Sequence, residues 1–199
     1  MTPWRFVAAG IIGYLLGGFP SALLVTRALG KADVRRVGSG HIGATNALRA
    51  GGWGAGIITL ALDIAKGALA AWLGLWLAGP WGLAVAAPLI VAGHNWSPYI
   101  RFRGGMGLAA LFGASLIIDP RLSLIAVPIL VAAVKLLWHR QRGSILAMLV
   151  LPPVALLIGN PLPESAAVAL GCGLVALRFL PEFNRQDLPG LLGGPEKNH

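Results

Sequence analysis

The stretch WGAGIITLALDIAKGALAAWLGLWLA, which occupies residues 53–78, decides the fold class. It contains only two charged side chains, Asp63 and Lys66. It also exceeds the ~20 residues that a helix needs to cross the hydrocarbon core of a bilayer. Further apolar runs lie between clusters of charged or turn residues, and together they predict an all-α, polytopic membrane protein with about seven transmembrane helices. The predicted spans are residues 6–26, 53–78, 81–100, 107–118, 122–138, 144–158 and 165–180.

The composition of the 199-residue chain agrees with this fold class, since 56% of the residues are hydrophobic and 12% are charged. A soluble domain has about 25% charged residues, so the composition excludes a soluble enzyme, a disordered tail and a nucleic-acid-binding domain. The net charge of +9 is explained by basic cytoplasmic loops beside anionic lipid, and no nucleic acid is expected as a partner. Because neither a repeat nor a boundary interrupts the pattern, we expect residues 1–199 to form one integral membrane domain.

The distribution of lysine and arginine predicts the orientation in the membrane. Only Arg5 and Arg121 fall on one side, and Lys66 lies within a span. Cytoplasmic loops carry an excess of cations, so the amino terminus is predicted outside and the carboxyl terminus in the cytoplasm. The cations assigned to the cytoplasmic side are Arg27, Lys31, Arg35, Arg36, Arg49, Arg101, Arg103, Lys135, Arg140, Arg142, Arg178, Arg185 and Lys197.

The predicted spans differ in length, and the fourth, at residues 107–118, is too short to cross a bilayer. Non-helical backbone at membrane depth is tolerated only where it is buried in protein or lines a polar cavity. We therefore expect some helices to be short or broken and to end inside the protein beside a polar cavity.

A glycine-rich segment follows the first span in the spacing G-x-G-x-x-G, formed by Gly38, Gly40 and Gly43. No apolar strand precedes it, so a dinucleotide-binding fold is not indicated. Glycines nevertheless let backbone N–H groups approach an anion, Ser39 and Thr45 add hydroxyl donors, and Arg49 offers a bidentate fork. The pattern favours phosphate binding over the alternative of a flexible glycine-rich loop.

A second glycine segment follows the third span, with His94 before it and Arg101 and Arg103 leading into it. A glycine turn that runs into a helix amino terminus suits a second anion site. Two alternatives stay open: His94 as an interfacial histidine bonded to a carbonyl, and the arginines as lipid-headgroup contacts. The glycines of this segment are Gly104, Gly105 and Gly107.

The charges inside the second span, Asp63 and Lys66, lie three residues apart on one helical face. Charges at membrane depth are expensive and are usually paired or functional. The pair is either a structural (i, i+3) ion pair or a means of positioning a neighbouring loop. The single cysteine, Cys172, lies in an apolar run and is interpreted as a packing residue, so no disulfide within the chain and no cysteine-based metal cluster is expected.

Three segments together resemble the bacterial acyl-phosphate:glycerol-3-phosphate acyltransferases, the PlsY family. Residues 38–46, GSGHIGATN, with Arg49 resemble that family's G-S-G-N-I-G-A-T-N-x-x-R. Residues 62–67 are similar to its L-D-x-x-K-G, and residues 93–107 to its G-H-x(7)-F-K-G-G-K-G. The order, the spacing and the layout of seven spans also agree, so the resemblance extends over essentially the whole chain.

The resemblance implies an enzyme of phospholipid synthesis in the bacterial cytoplasmic (inner) membrane. It would move a fatty acyl group from acyl phosphate to the 1-hydroxyl of sn-glycerol 3-phosphate, giving lysophosphatidic acid and inorganic phosphate. The two substrates and membrane lipids are the implied partners, and neither a metal nor another cofactor is implied. The acyl chain would lie along apolar helices.

Carried over position by position, the resemblance implies that Ser39, Asn46 and Arg49 bind phosphate or the glycerol backbone. His94 is the nearest candidate to orient or deprotonate the attacking hydroxyl, although the substrate's own phosphate is an alternative base. Asn184 is similar to the asparagine of the family's tail motif H-R-x-N-I. His94, Ser39 and Asn184 are thus the candidate catalytic residues. The remaining candidates for substrate binding are Gly38, Gly40, Gly43, Thr45, Lys66, Arg103, Gly104, Gly105, Gly107 and Ser144.

The chain departs from the family pattern at Met106, which stands where the family has the lysine of G-G-K-G. His41 replaces the asparagine of G-S-G-N, and Pro181-Glu-Phe-Asn184 replaces H-R-x-N. Either Arg103 or His41 compensates for the missing ammonium, or the chain is a divergent paralogue with reduced or altered activity. A phosphate-ester transporter is a further alternative because charges lie inside a span, but transporters usually contain internal repeats and none is visible here.

Overall fold

The computed structural model describes residues 2–185, and within that range the chain forms α-helices and short 3₁₀ turns with no β-strand. Met1 and residues 186–199, including Lys197 of the predicted cytoplasmic tail, lie outside the described residues. The helices are α1 (Pro3–Gly18), α2 (Ser21–Ala28), α3 (Ala44–Asn95), α4 (Leu108–Ile118), α5 (Pro120–Leu137), α6 (Arg140–Leu157) and α7 (Leu162–Phe179). The 3₁₀ turns are Val34–Arg36, Pro98–Ile100 and Leu180–Glu182.

Helix α3 is broken twice, which divides it into segments at residues 44–51, 53–77 and 80–95. Gly52 has φ 77° and Gly79 has φ 64°, in the left-handed region that glycine adopts without strain. At the second break the chain folds back on itself. The two segments come close together there, since a Cβ added at Gly74 would lie 2.7 Å from the carbonyl oxygen of Gly82. The two longer segments correspond to the predicted spans at 53–78 and 81–100.

The predicted first span at residues 6–26 is two helices rather than one. α1 ends before Phe19, and Pro20, which has no N–H to donate, precedes α2. The break frees the carbonyl of Phe19, which accepts a hydrogen bond from Lys66 Nζ at 2.9 Å. Lys66, inside the second predicted span, therefore provides a hydrogen-bond donor for the backbone carbonyl at the break in the first predicted span.

Four helical stretches are long and apolar enough to cross a membrane: Pro3–Ala28, Ala44–Ile100, Pro120–Leu137 and Leu162–Glu182. α4 is a shorter apolar helix of 11 residues, as the sequence predicts for the fourth span. Large apolar side chains project outward from the bundle: Trp76, Leu124 and Leu157 are 70%, 77% and 84% exposed. Such a surface suits contact with lipid tails.

The helices pack through small residues at close range. A Cβ added at Gly13 of α1 would lie 2.8 Å from the carbonyl oxygen of Ala86 in α3. Likewise, a Cβ at Gly67 of α3 would lie 3.0 Å from the carbonyl carbon of Ala110 in α4. Close backbone approach of this kind is characteristic of helices that associate in a membrane. Cys172 is buried in the apolar core formed by α3 to α7, as predicted for a packing residue.

Candidate active site

The first glycine segment leads directly into the amino terminus of α3. Gly43 precedes the helix, so Asn46 and Arg49 lie three residues apart on one face of its first segment. Asn46 Nδ2 donates to Ser39 Oγ and to the carbonyl oxygen of His41, both at 2.8 Å. Arg49 Nη1 donates to Asn46 Oδ1 at 3.1 Å. Ser39, in the segment before α3, is thereby brought together with Asn46 and Arg49 in the first segment of that helix.

Gly38 allows this arrangement to form. It has φ 59°, and a Cβ at this position would lie 2.9 Å from Arg49 Nη1. A side chain here would displace the Arg49 guanidinium. Gly40 and Thr45 are exposed and Gly43 is half-buried.

The second glycine segment folds back against the last turn of α3. Gly105 N donates to the carbonyl oxygen of His94 at 3.0 Å, and Gly104 N donates to that of Asn95 at 3.2 Å. Gly105 lies against the His94 ring, since a Cβ there would be 3.0 Å from His94 Cδ2 and would also contact the carbonyl oxygen of Ile42. Gly107, with φ 86°, precedes α4. The two glycine segments therefore meet at the His94 imidazole.

A buried polar network lies on the other side of that imidazole. Asp63, only 1% exposed, accepts from Ser21 Oγ and pairs with Lys66 Nζ at 2.8 Å. His94 Nδ1 lies 3.7 Å from Asp63 Oδ1. The charge pair inside the span is thus both an ion pair and a contact to neighbouring elements: Lys66 reaches Phe19, and Asp63 faces His94 and Ser21.

The carboxyl-terminal end of α7 completes the cluster and was missed by the sequence analysis. Arg178 Nε donates to the carbonyl oxygen of Gly105 at 3.1 Å, and its guanidinium lies 5.9 Å from the centroid of the Trp96 ring. Glu182 Oε1 lies 3.2 Å from His41 Nε2. Burial lowers the pKa of His41 below its ordinary value, and Glu182 offsets part of that shift while the Arg178 charge adds to it.

Several predicted site residues lie apart from the cluster. Asn184 is exposed, and its Oδ1 accepts from Arg142 Nη2 at 3.1 Å. Ser144 is buried in α6, and Arg103 is exposed. Among residues 2–185, neither has a hydrogen bond or an ion pair to the other predicted site residues. Met106 is half-buried and packs against the apolar core.

The cluster combines features that suit phosphate and hydroxyl chemistry. The Ser39 hydroxyl and the Arg49 guanidinium are both hydrogen-bonded to the Asn46 side chain, and the buried His94 imidazole lies against the second glycine segment. In the described part of the chain, no group of three or more His, Cys, Asp or Glu side chains is placed to hold a metal ion. The arrangement resembles an anion site built from backbone and guanidinium donors.

Comparison with known proteins gives one consistent family. The sequence model of the family described as "Glycerol-3-phosphate acyltransferase" matches residues 7–186. A glycerol-3-phosphate acyltransferase of Thermus thermophilus is 38% identical over 191 residues, covering 94% of this chain and 92% of that protein. Glycerol-3-phosphate acyltransferase 1 of Deinococcus radiodurans is 36% identical over 189 residues, with the same coverage of 94% and 92%.

The fold is similar to that of a solved integral membrane glycerol 3-phosphate acyltransferase, PlsY (YgiH). The crystal structure of its glycerol 3-phosphate form has a TM-score of 0.81 and 26% sequence identity, covering 90% of each chain. Its lysophosphatidic acid form has a TM-score of 0.78 and 25% identity over the same 90%.

Proposed function

Because this chain belongs to the glycerol-3-phosphate acyltransferase family, whose members are integral membrane acyltransferases, we propose that it transfers a fatty acyl group from acyl phosphate to the 1-hydroxyl of sn-glycerol 3-phosphate. The products are 1-acyl-glycerol 3-phosphate and inorganic phosphate. One observation carries the proposal beyond family membership: two separate glycine segments, each suited to an anion, meet at a single buried imidazole. Both proposed substrates carry a phosphate, so the site has to hold two anions, and two such segments suit that.

The first segment is the proposed site for one phosphate. Arg49 and Ser39 supply charged and neutral donors, and Asn46 holds both side chains in position. The backbone N–H groups of the glycines add further donors. The second phosphate is proposed to bind at the start of α4. Gly104 and Gly105 use their N–H groups to hold the turn against the end of α3, so the donors are the first backbone N–H groups of the helix that follows Gly107.

The proposed reaction takes place between the two proposed phosphate sites. The 1-hydroxyl oxygen attacks the acyl carbonyl carbon, and the bond from that carbon to the phosphate oxygen breaks. The hydroxyl proton passes to His94 or to the leaving phosphate, which departs as inorganic phosphate. Acyl phosphate is already activated, so most of the acceleration comes from holding two anions together among fixed donors and cations.

The buried network supports a positioning role for Asp63. Its carboxylate lies 3.7 Å from His94 Nδ1, so it favours an imidazole orientation that presents Nε2 towards Gly105 and the first segment. Ser21 and Lys66 hold the carboxylate in place. Lys66 acts on the site through Asp63 in this scheme.

We further propose that the chain is a single domain with seven spans in the cytoplasmic membrane, its amino terminus outside and its cytoplasmic face bearing the site. The support is the distribution of cations: Arg49, Arg142 and Arg178 all lie on segments at the same end as the glycine turns. Soluble glycerol 3-phosphate would then enter from the cytoplasm.

A divergent paralogue with weak activity is the second candidate, and one observation favours it. Met106 is apolar and packs against the core, so position 106 supplies no cation to the glycine turn. A large gain in rate on Met106→Lys would support this candidate. No gain would indicate that another residue fills the role.

The decisive experiment is acyl transfer by the purified protein with labelled glycerol 3-phosphate. We expect lysophosphatidic acid from acyl phosphate and none from acyl-CoA. Arg49→Ala should abolish the product, whereas Arg36→Ala, which removes an exposed cation of the same loop, should not. Product from acyl-CoA alone would contradict the proposed donor, and full activity of Arg49→Ala would contradict the proposed site.

A further inference from the structure

Arg178 is the unexpected residue of the site, and its position is set by two other elements. It lies in the last turn of α7, half-buried, with Nε on the carbonyl oxygen of Gly105 and its guanidinium facing the Trp96 ring. Both contacts belong to the stretch that begins where α3 ends. The guanidinium is thereby fixed at the glycine turn.

The terminal nitrogens of Arg178 are available for a ligand. Only Nε has a hydrogen-bond acceptor among residues 2–185, and a guanidinium carries five N–H donors in a fixed fork. The carboxylate one turn further on, Glu182, is occupied by His41 at 3.2 Å and by Arg185 at 2.7 Å. A half-buried guanidinium with unused N–H donors beside the glycine turn is suited to bind an anionic ligand.

Within residues 2–185, no other side-chain cation donates a hydrogen bond to the glycine turn. Lys66 pairs with Asp63, and Arg103 is exposed without a contact to the cluster in the described part of the chain. His41 pairs with Glu182. Met106 occupies the position where the resembling motif has a lysine, and it is half-buried against the apolar core. Arg178 is therefore the side-chain cation that touches the glycine turn within residues 2–185.

We propose that Arg178 is a phosphate-binding residue that supplies, from α7, the positive charge that Met106 does not supply from the turn. The inference rests on the proposed function and identifies a further binding residue of that site. It replaces both compensating residues that the sequence suggests, Arg103 and His41. A charge provided from α7 leaves position 106 free to carry an apolar side chain.

The test compares Arg178→Gln with Arg178→Lys and with a matched control, Arg27→Gln, which removes an exposed cation of α2. We expect Arg178→Gln to raise the KM of one of the two substrates by about 10- to 100-fold, the usual effect of losing a charged hydrogen bond. Arg178→Lys should retain part of the affinity, and Arg27→Gln should match the wild type. Wild-type KM values for both substrates in Arg178→Gln would overturn the proposal.

A second pair of variants separates binding from folding. Met106→Lys should change KM little in the wild type, where Arg178 already supplies the charge, and should lower the raised KM in the Arg178→Gln background. A large drop in KM for Met106→Lys alone would overturn the proposal, and this variant does not depend on Arg178→Gln being foldable. Failure of Met106→Lys to rescue a folded Arg178→Gln protein would also count against it.

Inorganic phosphate provides a readout without catalysis. A ligand that binds the folded state raises the midpoint of thermal unfolding, and we expect phosphate to raise it less in Arg178→Gln than in the wild type or Arg27→Gln. An equal rise in all three would overturn the inference. If the wild type makes no lysophosphatidic acid yet shows the Arg178-dependent rise, the proposed reaction is wrong and the phosphate site stands.

Discussion

Asn46 is the residue through which the first loop is attached to α3. It is only 2% exposed, and it donates to Ser39 and His41 while accepting from Arg49. The Asn46 side-chain amide thus makes hydrogen bonds to residues at three other positions of the chain. The sequence motif includes Asn46, but its organising role follows only from the helix that begins at Ala44.

Replacing Asn46 tests that role. Asn46→Ala leaves the Arg49 guanidinium without its acceptor and frees the Ser39 hydroxyl, so we expect kcat/KM to fall by about 10- to 100-fold, the equivalent of ~1–3 kcal/mol for a buried hydrogen-bond network. Steady-state kinetics against Arg36→Ala as control provides the measurement. Kinetics equal to those of the control would show that Arg49 and Ser39 hold their positions unaided.

His41 makes stability depend on pH in a defined direction. Burial lowers its pKa below 6.5, so the folded state favours the neutral imidazole. Its contribution is present above pH 6.5, the ordinary value, and is lost as the pH falls through the lower pKa of the folded protein. We expect the unfolding midpoint to decline on acidification through this window, and the decline to be smaller in His41→Gln. Identical slopes for the two proteins would show that other groups dominate this pH range.

At the level of the helices, glycines that lie against the backbone of a neighbouring helix set the distance between the two. Gly113 of α4 faces the backbone of α3, where an added Cβ would lie 3.0 Å from Ala68 N. Gly54 of α3 has open space around it. Both belong to helices, so the two positions differ in packing and not in secondary structure.

These two glycines provide a matched pair of variants. Gly113→Ala should destabilise the fold by about 1–3 kcal/mol because the added methyl meets backbone that cannot move aside. Gly54→Ala should leave the unfolding midpoint unchanged or raise it, since alanine is the better helix former. Thermal unfolding in detergent measures both. A stable Gly113→Ala protein would mean that α3 and α4 separate easily.

The span at 53–78 was predictable from the sequence because hydropathy is a local property, and the turn at Gly79-Pro80 was predictable from its residues. The break at Phe19 was not, since the Lys66 ammonium that accommodates it lies 47 residues away. Arg178 was missed for the same reason: its contact to Gly105 spans 73 residues. Local motifs therefore locate the two glycine segments, and long-range contacts decide which side chains lie against them.

For the whole molecule, the distribution of charge predicts which end faces the cytoplasm. A variant with Cys172→Ala provides a background without cysteine, to which Thr2→Cys or Ala32→Cys is added at an exposed position. A membrane-impermeant maleimide should label Thr2→Cys in intact spheroplasts and Ala32→Cys only after lysis. The opposite pattern would contradict the proposed orientation.

The family resemblance drawn from the motifs is confirmed by the match over residues 7–186, and the all-helical architecture by the described residues. The roles of individual side chains remain predictions, because a motif gives the identity of a residue and not its partner. Met106 illustrates this: the resembling motif has a lysine at this position, and only the structure shows that Arg178 donates a hydrogen bond to the neighbouring Gly105.

The shortness of α4 has a consequence for where the chemistry occurs. Its 11 residues extend about 16 Å, roughly half of a ~30 Å hydrocarbon layer, so both ends cannot reach the two surfaces. Asp119 at one end pairs with Arg121, as suits a polar boundary, and with that end at one surface the Gly107 end would lie below the other. In the proposed reaction, the acyl donor would then reach this end from the hydrocarbon layer, and glycerol 3-phosphate would reach it from the cytoplasm.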